Sequence, residues 1–149
     1  MEPSLVIASS LNHDGDGLVR ISVAATSEAF HAETSAWGNA EQISVLAASL
    51  VGFPQSRTDT VRYNFGGAMS GFCDLEFFCL DGLLHTAVKV TIVASDAFRS
   101  TQRYESAELL IRIEPSAIDQ FVASLHAFYP GQANKAVLVG VPQYHRNAL

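Results

Sequence analysis

Three successive segments in the second half of the chain alternate apolar and polar residues. That period of two restricts them to strands with one face turned to a core. From Phe72 to Leu80 one parity carries Cys73, Leu75, Phe77 and Cys79, and the other Phe72, Asp74, Glu76 and Phe78. From Leu84 to Val93, Leu84, Thr86, Val88, Val90 and Ile92 oppose His85, Ala87, Lys89, Thr91 and Val93. From Arg103 to Ile113, Ala107, Leu109, Ile111 and Ile113 oppose Tyr104, Ser106, Glu108, Leu110 and Arg112. The first two are joined by a turn at Asp81-Gly82, so the pairing is antiparallel.

The remaining segments extend this pattern. Ser4 to Leu11 and Leu18 to Ala25 form a hairpin, and Glu28 to Trp37 extends or re-enters the sheet with Phe30 as its main apolar residue. Thr60 to Phe65 and Ala136 to Val141 read as further strands. Asn39 opens a helix, with Gln42 three residues on as in a capping box and Ile43, Leu46, Ala47 and Leu50 at helical spacing. A second helix starts at Glu114-Pro115-Ser116, carries Ile118, Phe121, Val122, Leu125 and Phe128, and ends at Tyr129-Pro130-Gly131. Strands joined in succession by short turns predict an α+β fold: an antiparallel sheet of about six strands with two amphipathic helices packed on one face. One domain over residues 1–149 is expected, with the tail after about residue 142 flexible.

Composition narrows the function classes. With a formal net charge of −6 and nine Lys and Arg scattered singly, the chain lacks the cationic stripe that nucleic acid or an anionic membrane surface requires. Only 16% of residues are charged, which leaves neutral or apolar surface and points to a protein partner or self-association. No apolar run is long enough to span a bilayer, and Met1-Glu2-Pro3-Ser4 lacks the positive region of a signal peptide, so a cytoplasmic protein is expected. Cys73 and Cys79 stand too far apart along one strand to be bridged and read as small buried hydrophobes.

Four patterns invite a chemical reading. Asn12, Asp14 and Asp16, followed by Gly17, match the opening of a calcium loop, but Val23 stands where the bidentate acid belongs, and a hairpin turn accounts for the same residues. The stretch Gly66 to Gly71 has the glycines of a phosphate cradle without a Gly-Lys-Ser/Thr or a helix after it, and reads as a mobile connector. The five histidines stand singly, none four residues from another or beside a paired acid. No cofactor, metal or catalytic motif is therefore expected. The fourth pattern is the outer sheet face: Arg62, Phe72, Asp74, Glu76, Phe78, His85, Lys89, Tyr104, Glu108 and Arg112, aromatics set among charges.

Several motifs carry a resemblance: Phe53-Pro54, Phe65-Gly66-Gly67, Leu75 to Cys79, Asp81-Gly82-x-x-His85, Val88 and Val90, and the helix from Glu114 to Val122. Together they resemble a group of small bacterial proteins and are similar in outline to WapI-type immunity proteins. That resemblance implies a small antiparallel sheet with two helices, acting by binding a toxin delivered by competing bacteria. Leu84 stands before His85 where the family pattern carries glycine. The expected function is a non-enzymatic, immunity-like protein-binding module of a bacterial cytosol, acting through the outer sheet face. Two other readings stand beside it. One is a small-molecule binder or enzyme using His85, Tyr104 and Glu108 in a pocket between helices and sheet, and the other is a homodimer paired across the same face.

Overall fold

The computed structural model describes residues 2–10, 18–67, 71–94, 105–128 and 134–142. In chain order the elements are β1 (Ser4–Ser9), β2 (Leu18–Thr26), β3 (His31–Asn39), α1 (Glu41–Leu50), β4 (Thr60–Gly66), β5 (Phe72–Cys79), β6 (Thr86–Val93), β7 (Ser106–Ile113), α2 (Pro115–His126) and β8 (Lys135–Val139). The fold is α+β and every named strand pair is antiparallel. The strands do not form the single sheet of about six that periodicity suggests. They divide into two four-stranded sheets, ordered β3-β2-β1-β8 and β4-β5-β6-β7.

The split has a local cause. The inward residues of β3 are Ala32, Thr34, Ala36 and Gly38, too small or polar to signal a buried strand, and Phe30 is exposed in the turn before it. The chain then enters α1, and the next strand begins a new ladder instead of pairing in the first. Nor do the helices simply cover one face of one sheet. Leu5, Ile21 and Leu138 from the first sheet, Leu75, Val90 and Ile111 from the second, Leu46 of α1 and Phe121 of α2 belong to one buried cluster. Removing each such side chain from water stabilises the fold by about 1.5–3 kcal/mol.

The helix starts follow their sequence signals. The Asn39 carboxamide oxygen accepts the Glu41 N–H at 2.9 Å, and Gln42 Oε1 accepts the Asn39 N–H at 2.9 Å. This is the reciprocal capping box. The Gln42 side chain also hydrogen-bonds Tyr63, tying α1 to β4. At α2, Glu114 is extended and Pro115 occupies the first helical position, where its missing N–H costs nothing. No helix among the described residues is long and apolar enough to cross a membrane.

Hydrogen bonds join the two sheets at two places. At one, Gly71 N–H donates to Ser35 O at 3.2 Å and the Thr34 side-chain Oγ1 donates to Val93 O at 2.9 Å. At the other, Gly140 N–H continues the β1–β8 ladder to Pro3 O and Val141 N–H donates to Arg112 O, both at 2.8 Å, so the chain leaving β8 crosses to the edge of β7. The first junction explains two glycines that had read as part of a mobile connector. Gly66 has φ +90°, and a methyl group there would lie 1.9 Å from Gly71 O. On Gly71 a methyl would lie 2.1 Å from Thr34 Oγ1 and 2.5 Å from Ser35 O. The rest of that connector, residues 68–70, lies outside the described residues, as do the turn at 129–131 and the tail from 143.

Backbone must move to admit a side chain at this junction, so Gly71→Ala is expected to destabilise the protein by roughly 1–3 kcal/mol. A urea denaturation midpoint indistinguishable from wild type would show that the junction tolerates a side chain.

Candidate functional site

Register places the outer residues of the second sheet in four cross-strand rows. The first contains Thr60, Phe78, Ala87 and Arg112, and the second Arg62, Glu76, Lys89 and Leu110. The third contains Asn64, Asp74, Thr91 and Glu108, and the fourth Gly66, Phe72, Val93 and Ser106. Eight of the ten residues expected on the outer face are thus brought together. The two exceptions are His85 and Tyr104. Tyr104 lies outside the described residues, as do the calcium-loop candidates Asn12, Asp14 and Asp16.

The charges on this face are paired across strands. Arg62 grips Asp74 at two points, Nη2 to Oδ2 at 3.1 Å and Nε to Oδ1 at 3.3 Å. Lys89 Nζ lies 3.3 Å from Glu76 Oε1, directly opposite it in the ladder. Exposure within the pairs is unequal. The Arg62 side chain is 67% exposed and that of Asp74 only 10%, so the guanidinium lies over a sunken carboxylate. Asp74 raises the Arg62 pKa further above its ordinary value, so the cation persists at any working pH. Apolar surface frames the pairs: Phe72 and Phe78 are half-buried and Leu110 is exposed.

His85 follows the outer parity but does not reach the sheet. It sits in the β5–β6 turn, where β6 begins only at Thr86. The Asp81 carboxylate organises that turn. Its Oδ1 accepts the N–H of Leu83 at 2.8 Å and of His85 at 3.3 Å, while Oδ2 lies 2.6 Å from His85 Nδ1. Side-chain capture of backbone N–H groups competes with the ladder, which is why the strand starts two residues later than alternation implies. The turn holds Leu84 at φ +64°, a left-handed conformation that disfavours side chains, and leaves Leu83 78% exposed. The expectation that no histidine stands beside a paired acid is corrected here: Asp81, four residues before His85, reaches its ring because both belong to one Asp-led turn.

The cysteines divide. Cys73 is buried, and burial pushes its thiol up to about 12. Cys79, expected to be buried with it, is half-buried near the end of the strand, with Sγ 3.6 Å from Ser56 O. Partial burial and then the carboxylates of Asp59 and Asp81 raise its pKa, so neither thiol has thiolate character at neutral pH.

The first sheet carries a feature that sequence reading did not find. Arg20 stacks on Trp37 with its guanidinium carbon 5.2 Å from the ring centroid, on the outer face of the β2–β3 pair. Only the register of β3 reveals this. Beside it a shallow groove of about 430 Å³ runs over Val6, Ala8, Ser22, Ala24, Glu33 and Ser35. A second groove, of about 240 Å³, lies between the start of α2 and the chain leaving β8, with Glu114 and Gln120 at its rim. Neither groove contains His85 or Glu108. Tyr104, the third polar group expected at a pocket between helices and sheet, lies outside the described residues. Among the described residues no group of three or more His, Cys, Asp or Glu side chains could hold a metal ion.

No protein-family model, curated protein or solved structure matches the chain.

Two outcomes follow for the β5–β6 turn. The His85 hydrogen bond, and then the backbone N–H groups of Leu83 and His85, hold the Asp81 pKa below its ordinary value of 3.8. A depressed carboxylate stabilises the fold above that value and ceases to do so as pH falls through the folded-state pKa. Exchange protection of the Leu83 and His85 amides should accordingly be lost below about pH 4, and Asp81→Asn should remove the dependence. Protection that persists unchanged to pH 2 would discount the carboxylate. Separately, Leu84→Gly relieves the left-handed backbone and is expected to leave stability unchanged or raise it by up to about 1 kcal/mol, read from thermal unfolding.

Proposed function

We propose that this chain is a non-enzymatic protein-binding module that captures a protein partner through the outer face of its second sheet, in the manner of an immunity protein. The observation that carries the reading is the make-up of that face. Phe72 and Phe78 are half-buried and Leu110 is exposed around two cross-strand ion pairs. Interfaces concentrate such aromatic anchors beside charged groups that fix register.

The test exchanges the central pair. Glu76→Lys combined with Lys89→Glu retains a cross-strand ion pair and is expected to leave the circular dichroism spectrum and melting temperature near wild type. Capture of the native partner by the immobilised protein should be abolished. Equal capture by the exchanged and wild-type proteins, or no partner recovered by either, would defeat the proposal.

A further inference from the structure

The partner-binding face is not uniform in charge, and its asymmetry gives the partner a chemistry. Of the nine Lys and Arg in the chain, Arg62, Lys89 and Arg112 all lie in the first two rows. Glu76 is the one acid in those rows. Both acids paired to this group are the less exposed partner: Asp74 at 10% beneath Arg62 at 67%, and Glu76 at 30% beside Lys89 at 39%. The Arg62 guanidinium therefore faces outward over its carboxylate, while Lys89 and Glu76 are comparably exposed. The apolar residues among them are Phe78 and Leu110, with the fully buried Ala87 as floor between Phe78 and Arg112.

Distance decides which charge a partner meets. Neighbouring strands lie ~4.8 Å apart and alternate residues ~6.7 Å along a strand, so the three cations fall within about 20 Å of one another. Screening reduces the influence of more distant charges beyond ~8–10 Å at physiological salt. A segment docked on these rows thus meets three cations set against Glu76 and the sunken Asp74, a local excess of one positive charge, although the chain as a whole is at −6. The third and fourth rows differ, holding Asp74 and exposed Glu108 and no cation.

Resting on the partner-binding reading above, we infer that the half-face formed by Arg62, Lys89, Arg112, Phe78 and Leu110 receives an acidic segment of a protein partner. Its carboxylates meet the three cations, and one or two apolar side chains lie against Phe78 and Leu110. Arg62 and Arg112 suit this role because a guanidinium can hold a carboxylate at two points.

The probe is a synthetic ten-residue peptide of glutamates with two phenylalanines, titrated into the full chain and followed by amide chemical shifts. A lysine peptide with the same phenylalanines serves as its opposite. Shifts from the acidic peptide are expected to cluster at Phe78, Lys89, Leu110 and Arg112. Affinity should fall about tenfold between ~0.05 and ~0.3 M salt. Combining Lys89→Gln with Arg112→Gln should weaken binding roughly tenfold. Arg112→Gln alone keeps the inference testable if the double variant fails to fold. Equal or tighter binding of the lysine peptide, shifts centred on the first sheet, or an unchanged affinity in folded variants would overturn it. A native partner that cross-links to this half-face through a basic segment would overturn this inference and leave the partner-binding reading intact. Acidic-peptide binding here with no partner captured would do the reverse.

Discussion

The register of β5 is the constraint on which the outer surface depends. Leu75 and Phe77 are fully buried, and β5 pairs with β4 on one side and β6 on the other. A slip of one residue would carry both side chains out of the core and put Asp74 and Glu76 into it, so burial on one face sets the position of every residue on the other. Because the slip is prohibitive, Asp74 lies within reach of Arg62 and Glu76 directly faces Lys89. The ion pairs do not hold the sheet in place. They are placed by it.

The same core forces the two sheets to act together. Neither has an interior of its own, since inner residues of both join the helix stripes in one cluster. Their relative placement is held by a few backbone bonds at the junctions, where Gly71 meets Ser35 and Val141 meets Arg112. Arg112 is thus part of a junction through its carbonyl and part of the outer sheet face through its side chain. Helix α2 begins at Pro115, just past the end of β7, which links that helix to the same corner.

Most of the candidate surface was legible because sheet parity is a short-range rule. Once Leu75, Phe77, Val88, Val90, Leu109 and Ile111 are assigned inward, their neighbours must face outward. The rule fails where a side chain competes for the backbone. Asp81 takes the N–H groups of Leu83 and His85 into a turn, so His85 leaves the face to which its parity assigned it. It also fails for β3, whose small inward residues give no alternating signal, and the Arg20–Trp37 stack was hidden with it.

By itself the sequence determined which segments other than β3 are strands and helices, how both helices begin, and which parity of β5, β6 and β7 faces solvent. These follow from periodicity and capping, which act over a few residues. Only the tertiary structure decided that the strands form two sheets around one core, that Gly66 and Gly71 are required by close backbone approach, and that Arg62 lies over a sunken Asp74. Those outcomes depend on contacts between residues far apart in the chain. No local pattern encodes the distance from Gly71 to Ser35, or the depth of Asp74 beneath Arg62.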